Sequence, residues 1–422
     1  MKLRSLFKII YLLIEGKIKF KTPKNFDLVI YDIKSLNDIN FFFKKYNYFV
    51  IETRLDIIKK LYISPKILFY MLKNYSGSLS NAYILSLLEI IKPKVVLTRV
   101  DNSIKFSEIA KVCEKKYVFI AIQSAARTDY TWNDFFYKTQ KIDISFNKKI
   151  YIPHFICFGE YEIKQFNDLN INVKNFYPSG DLQFSEYLEY KKENKHNIIK
   201  KKDICFITDY IAENYHHAYL GTNKKIIEKF NSDTDKTNIN TKKSILKLLK
   251  YVIYFAQQNN ISLAIPLKRD KRIHPKLASS ERNFFEINLN KKELEYFNSC
   301  VIERDRQNYS SLESLMNSNL AIGWTSTLLR NKIGAGGKAL ACNFTGEKLY
   351  NFPINGICSL QDCNYGEFEK RVNNLLSMSE KDFLLKIDQK PSYVMKFDQN
   401  MPSSEILKRK LYDFGVLTGS EK

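Results

Sequence analysis

From Glu303 to Cys342 the chain reads ERDRQNYSSLESLMNSNLAIGWTSTLLRNKIGAGGKALAC, a helix, strand, turn, helix, strand pattern that constrains the fold more than any other segment. Ser310 followed three residues later by Glu313 predicts a capping-box helix start. Asn317 and Asn319 end that helix, and Leu320 to Trp324 is an apolar run of strand length. Thr325, Ser326 and Thr327 then open a second helix, which Gly334, Gly336 and Gly337 must close, and Lys338 to Cys342 returns as a strand. A helix start leaves backbone N–H groups unpaired at the positive end of its dipole, so the hydroxyls of Ser326 and Thr327 suit a phosphoryl group there. Ser and Thr are also the usual N-cap residues of any helix. On the residues alone both readings stand.

The same alternation runs through the rest of the chain. Asp27 to Asp32, Tyr48 to Ile51, Lys94 to Val100, Tyr117 to Ile122 and His154 to Phe158 are buried-type strands, and Ile57 to Leu72 and Ala82 to Ile91 have helical apolar spacing. After the charged run Lys191 to Lys202 the pattern resumes with Asp203 to Thr208, an amphipathic helix over Ser244 to Gln258, and a strand over Ser262 to Leu267. The polar stretch Asn231 to Lys243 reads as an exposed loop. Strands alternating with helices predict parallel sheets covered on both faces. The expected division is a basic N-terminal piece (1–24), a first α/β domain (25–185), a linker (186–202), a second α/β domain (203–380) and a helical tail (381–422).

Charge narrows the partners. The 67 Lys and Arg against 45 Asp and Glu leave a formal +22, which draws anions: nucleic acid, an acidic membrane face or a phosphorylated substrate. Lys far outnumbers Arg and Asn and Ile are abundant, the signature of an AT-rich genome, so the basicity is not by itself a nucleic-acid footprint. The seven Cys form no C-x-x-C pair, which indicates neither a zinc site nor a disulfide framework and fits a reducing cytoplasm. Residues 1–24 carry seven basic side chains against the single acid Glu15. Their apolar run Ile9 to Ile14 is too short to span a bilayer and no small-residue cleavage site follows it. Leu3, Phe7, Ile10, Leu13 and Ile14 recur at helical spacing, which suits a helix lying on an anionic membrane or one packed on its own domain.

Several residues carry candidate chemistry. Asp101 and Asn102 follow the strand Val95 to Val100, and Gln123 and Ser124 follow Tyr117 to Ile122, so both sets fall at the carboxyl edge of a parallel sheet, where open α/β sheets bind ligands. A partly desolvated Asp101 there can accept a proton from an acceptor hydroxyl; it can equally cap the helix that begins near Ser103. In the second domain Lys268 and Arg269 follow a strand and precede His274-Pro275, a cluster able to neutralise a departing phosphate. Asp233-Thr-Asp235 has the D-x-D spacing of metal-dependent sugar transferases but lies in the polar stretch where such spacing arises by chance, and His216-His217 has too few partners for a metal site, so no metal is expected. Neither a Walker A loop nor G-x-G-x-x-G is present.

Together these blocks resemble bacterial surface carbohydrate biosynthesis proteins, and more distantly GT-B transferases of sialic-acid-like and Kdo sugars. Thr98-Arg-Val-Asp101-Asn102 with Phe106 is similar to that family's Thr-x-x-Asp-Asn block, and Ile122-Gln123-Ser124-Ala-Ala-Arg127 to its Ile-Gln-Asn-Gly-x-Arg block. Phe158-Gly159, Ser179-Gly180, Leu267-Lys268-Arg269 with Glu281 and Phe284-Phe285, Tyr309-Ser310-Ser311, Ser326-Thr327-Leu328 and Gly337-Lys338 follow in order. Ser124-Ala125 stands where Asn-Gly is usual, Thr325 where an acid is usual, and Asn331 where a glutamate is usual. The resemblance implies a GT-B fold of two Rossmann-like domains about a cleft, the first taking the acceptor and the second the nucleotide-sugar donor. It implies a metal-independent, cytoplasmic, membrane-peripheral glycosyltransferase. Such an enzyme would move an acidic sugar from a CMP donor to a glycan or glycolipid of lipopolysaccharide or capsule, with no cofactor and no specific nucleic acid. Asp101 would be the general base, Asn102, Gln123, Ser124 and Arg127 would hold acceptor or sugar, and Lys268, Arg269, His274, Tyr309, Ser310, Ser326 and Thr327 the nucleotide phosphate. A sugar-nucleotide epimerase, a polyol-phosphate transferase of the same fold, and a basic membrane-surface binding protein are the rival readings.

Overall fold

The computed structural model describes residues 17–33, 40–54, 56–128, 149–194, 201–210 and 224–416, with 224–239 as backbone only, and the single positions 15 and 35. Two six-stranded parallel sheets organise it. The first contains β1 (Leu28–Tyr31), β2 (Tyr48–Ile51), β3 (Val95–Thr98), β4 (Val118–Ile122), β5 (Tyr151–Cys157) and β6 (Asn172–Pro178) in the order β6-β5-β4-β3-β1-β2. The second contains β7 (Lys202–Phe206), β8 (Leu263–Pro266), β9 (Val301–Ile302), β10 (Ser318–Gly323), β11 (Lys338–Asn343) and β12 (Ser359–Gln361) in the order β9-β8-β7-β10-β11-β12. The second order is that of a dinucleotide-binding sheet, and the strand order turns back between β7 and β10. These are two Rossmann-like domains, the GT-B arrangement.

The strands are apolar because both faces are covered. In β1 Leu28 and Ile30 join one core cluster with Val95 and Leu97, while Val29 and Tyr31 join the other with Val96 and Phe119, the two-residue period of a strand. Helix α1 (Leu79–Ile91) is capped by Ser78, whose hydroxyl accepts from Asn81 N–H, and α2 (Ile104–Cys113) by Ser103, which accepts from Phe106 N–H. Glu160–Asp168 forms α3 and Leu182–Glu193 forms α4, whose N-cap is Asp181. In the second domain α5 (Lys224–Gln258), α6 (Pro275–Asn288), α7 (Ser310–Met316), α8 (Thr327–Gly334) and α9 (Tyr365–Ser377) cover the sheet. Last comes α10 (Ser403–Asp413).

Several expectations are corrected. Asn231 to Lys243 is part of the long helix α5, not a loop; no Gly or Pro occurs between Gly221 and Pro266, and polar residues lower helix propensity only slightly. The helix expected from Ile57 begins at Pro65 with Ser64 as N-cap, and Ile57–Ile58 and Leu61–Tyr62 are short strands, since the residue before a proline avoids the helical region. Edge strand β6 has no strand signal in the sequence, since three of its first four residues, Asn172, Lys174 and Asn175, are polar and it ends on Pro178. The expected linker begins as helix, for α4 runs to Glu193. Ser310 is not the N-cap of α7; Tyr309 is, and the Glu313 carboxylate accepts from Tyr187 Oη at 2.9 Å and Lys191 Nζ at 2.6 Å instead.

The tail is not a separate unit. Phe383, Ile387 and Val394 pack into the second core, whereas Leu407, Leu411 and Val416 pack into the first. The crossing segment lies on two glycines: a Cβ on Gly159 would meet Tyr393 O at 2.5 Å, and one on Gly180, whose φ is +89°, would meet Lys396 O at 2.1 Å. Lys396 N–H donates to Phe158 O at 2.8 Å and Ser403 Oγ to Ser179 O at 2.5 Å. Phe158-Gly159 and Ser179-Gly180 thus receive the chain's own C-terminal segment.

Candidate active site

A cavity of about 510 Å³ lies between the carboxyl edges of the two sheets. Ser124, Asp181, Gln183 and Glu186 line it from the first domain, and Thr208, Asp209, Lys268, Arg304, Arg306, Tyr309, Ser326, Thr327 and Asn331 from the second. The second-domain residues come from the loops after β7, β8, β9 and β10, and so surround the point where the strand order turns back. A cavity of about 560 Å³ lies outside β6 against α10, among Tyr177, Lys396, Lys408 and Arg409. Among the described residues none of its side chains has a buried polar atom lacking a partner, whereas Glu186 Oε1 and Asn331 Oδ1 in the cleft do. The cleft is therefore the candidate site.

The cation cluster is built by buried carboxylates. Glu281, fully buried, accepts Thr208 Oγ1–H at 2.7 Å, Lys268 N–H at 2.9 Å and Arg269 N–H at 3.1 Å, which fixes the turn that presents Lys268. Burial raises the Glu281 carboxyl, and those bonds act against the rise. Arg272 bridges Asp270 at 3.0 Å and Asp305 at 2.5 Å, and Asp270 also accepts Arg306 N–H at 3.0 Å, closing the loop after β9. Arg304 Nη1 donates to Ser311 Oγ at 3.3 Å. Burial pushes the Arg304 guanidinium down to about 10. The neighbouring Arg306 and Arg269 add to that fall, while Glu281 and Asp270 oppose it.

The Ser326-Thr327 turn differs from the expected phosphate cradle. Asp209 Oδ2 accepts from Trp324 N–H and Thr325 N–H, both at 3.1 Å, so a carboxylate of the chain already occupies these donors. Burial raises the Asp209 carboxyl, while Lys268 nearby lowers it. Ser326 caps α8, accepting Leu328 N–H at 3.3 Å. Thr327 Oγ1 accepts Ala126 N–H at 2.9 Å across the cleft, which leaves its hydroxyl hydrogen available to an anion. Two further residues of α8 tie the domains: Arg330 donates to Glu162 at 2.5 Å and to Arg127 O at 3.2 Å, and Asn331 Nδ2 to Asp181 at 3.0 Å.

Of the residues singled out from sequence, Ser124, Lys268, Tyr309, Ser326 and Thr327 line the cleft. Asp101 is buried with both oxygens accepting from the Arg127 guanidinium, and the N-cap beside it is Ser103, not Asp101. Gln123 donates to Glu162 at 3.0 Å and accepts Phe158 N–H at 2.8 Å, so it braces the wall. Asn102 is half-buried in the turn after β3. Arg269 is half-buried behind Lys268, and His274 is the exposed N-cap of α6. Ser310 Oγ accepts Asp305 N–H at 2.8 Å and donates to Glu303 O at 3.1 Å. The side chains of Asp233 and Asp235, and His216-His217, lie outside the described residues. Among the described residues no group of His, Cys, Asp and Glu is arranged to hold a metal, and no helix is long and apolar enough to cross a membrane. Sequence reasoning missed Asp181, Glu186, Asp209, Arg304 and Arg306. Arg304 and Arg306 had a signal, two cations in the loop before a predicted helix; Glu186 looks like any acid on a helix.

No family model matches the chain, and no curated protein matches it. Among solved structures, a Methanocaldococcus jannaschii UDP-GlcNAc 2-epimerase in complex with UDP-GlcNAc and UDP is 14% identical with a TM-score of 0.48, covering 93% of this chain and 100% of its own. A glycosyltransferase from Rickettsia africae is 10% identical with a TM-score of 0.44, covering 92% and 98%. The wall teichoic acid polymerase TagF is 10% identical with a TM-score of 0.47, covering 98% and 99%.

Proposed function

We propose that this protein is a glycosyltransferase that moves a sugar from a nucleotide-linked donor to a hydroxyl of a bacterial surface glycan, with the nucleotide phosphate in the interdomain cleft. The observation that carries this reading is the cluster of three cations, Lys268, Arg304 and Arg306, on the cleft wall where the strand order of the second sheet turns back. In that cleft, cations facing a leaving phosphate would stabilise the charge that develops as the sugar bond breaks. Thr327 adds a hydroxyl donor, and Asp209 holds the turn beneath it in shape. Donors linked to CMP, with an acidic sugar, are the first class to test. The acceptor belongs on the first-domain wall. Residues 1–24 serve to hold the protein at the inner face of the membrane.

Thermal unfolding with CMP, CDP, UDP and GDP tests the reading, because a ligand that binds only the folded state raises the unfolding temperature. One nucleotide, CMP before the others, is expected to raise Tm. Arg304→Ala, and separately Ser326→Ala with Thr327→Val, should cut that shift while leaving the unliganded Tm within a few degrees. A shift equal for all four nucleotides that fades steeply with salt would reduce the cleft to a non-specific anion binder. Product analysis separates transfer from epimerisation, since an epimerase turns its nucleotide sugar over without an acceptor.

A further inference from the structure

The cleft holds hydrogen-bonding capacity, on Glu186 of the first domain and Asn331 of the second, that the protein itself leaves unused. Glu186 is 5% exposed and Asn331 1%. Both line the cavity, and Glu186 Oε1 and Asn331 Oδ1 are buried without partners. The orientation of Asn331 is set by chemistry: its Nδ2 donates to Asp181 at 3.0 Å, so its oxygen must face the other way. Asp181 also lies within electrostatic reach of Glu186. Two residues that line the cavity therefore each keep an acceptor oxygen without a donor. Leaving buried acceptors without donors is unfavourable, which makes the pair a place for a ligand rich in hydroxyl groups.

We infer that Glu186 and Asn331 receive the hydroxyl-bearing acceptor, a sugar or polyol, and that Glu186 takes the proton of the attacking hydroxyl. This rests on the nucleotide-sugar reading above. In the step, the acceptor oxygen forms a bond to the anomeric carbon of the donor, and the bond from that carbon to the phosphate oxygen breaks. The departing phosphate keeps the electron pair, opposite Lys268 and Arg304, and the hydroxyl proton passes to the Glu186 carboxylate. Asn331 Oδ1 accepts from a second hydroxyl and fixes the acceptor's orientation.

The surroundings suit a base that works near neutral pH. Burial raises the Glu186 carboxyl to about 7; Arg99 and the Phe42 N–H oppose the rise, and Asp181 and Glu189 on its own helix add to it. Arg99, at the end of β3, is 1% exposed with Nε and Nη1 unpartnered, so its charge is not spent on another carboxylate. From the second domain Tyr309 faces Glu186, and Lys268, Arg304, Arg306, Asp209 and Asp305 share the cavity. Asp101, by contrast, has both oxygens held by Arg127.

The test follows nucleotide release from CMP-, UDP- and GDP-linked sugars, with water and with glycerol as acceptors, across pH 5 to 9 for the wild type, Glu186→Gln, Asn331→Ala and Asp101→Asn. The wild-type rate is expected to rise along a limb centred near 7. Glu186→Gln should lose that limb and about a hundredfold to ten-thousandfold in kcat, while keeping the nucleotide-induced Tm shift. Asn331→Ala should raise KM for glycerol more than it lowers kcat, and Asp101→Asn should keep the limb. In parallel, the carboxyl resonance of ¹³C-glutamate-labelled protein that is missing from Glu186→Gln should titrate near neutrality. A limb that survives in Glu186→Gln, one lost only in Asp101→Asn, or a Glu186 resonance titrating in the ordinary carboxylate range would overturn the inference and leave the nucleotide-sugar reading intact. A wild type that no nucleotide stabilises would overturn that reading and this inference with it.

Discussion

A carboxyl held up to about 7 from an ordinary 4.5 leaves a mark on stability as well as on chemistry. Between those values folded Glu186 keeps a proton that the unfolded chain releases. Its favourable contribution is therefore whole below about pH 4.5 and is lost as pH rises through 7. Glu186→Gln never ionises. Thermal unfolding of the variant should show a higher Tm than the wild type at pH 8 and an equal one at pH 4.5, the gain at pH 8 being at most on the order of 3 kcal/mol. A gain equal at both pH values would attribute it to packing. At this scale the sequence was a partial guide. Lys268, Ser326 and Thr327 were legible because a cation after a strand and hydroxyls before a helix are local patterns. Asp209 was not, because the donors that hold it, Trp324 N–H and Thr325 N–H, lie more than a hundred positions away in the chain. Asp101 and Arg127 were read separately, and only folding joins them.

Among the elements, α8 and the C-terminal segment do the joining. Through Thr327, Arg330 and Asn331, α8 meets Ala126, Glu162 and Asp181 of the first domain, so one helix both lines the cleft and ties the two domains together. The C-terminal segment crosses back over Gly159 and Gly180 to deliver α10 to the first core. Gly180→Ala is expected to destabilise the protein well beyond the roughly 1–2 kcal/mol of a left-handed backbone alone, because the new methyl would lie 2.1 Å from Lys396 O. Gly77→Ala is the control, with φ at +94° and nothing within 4 Å of the added carbon. Urea unfolding of both variants, with limited proteolysis of residues 397–416, checks this. Equal losses for the two would mean the crossing segment yields easily and does not hold the domains together.

For the whole molecule, the formal charge of +22 and the basic N-terminal segment point to an anionic surface. Ile18–Lys19 pairs with Leu61–Tyr62 in a small parallel ladder, and deleting residues 1–14 leaves that ladder in the chain. Their deletion should lower binding to vesicles containing anionic phospholipid at 0.1 M salt by about tenfold or more, as each basic residue near such a surface adds about 1 kcal/mol, while the Tm stays within a few degrees. Cosedimentation measures it, and unchanged binding would place the contact elsewhere. The sequence by itself determined that this chain makes two parallel α/β domains, because strand and helix periods are written in consecutive residues and apolar runs covered on both faces admit few other folds. It also placed candidate cations and hydroxyls at strand ends, where that fold exposes them. Only the tertiary structure decided which of them meet. The return of the tail to the first core, the Asp101–Arg127 pair and the unpartnered oxygens of Glu186 and Asn331 all depend on contacts between distant residues, and such contacts leave no period in the sequence.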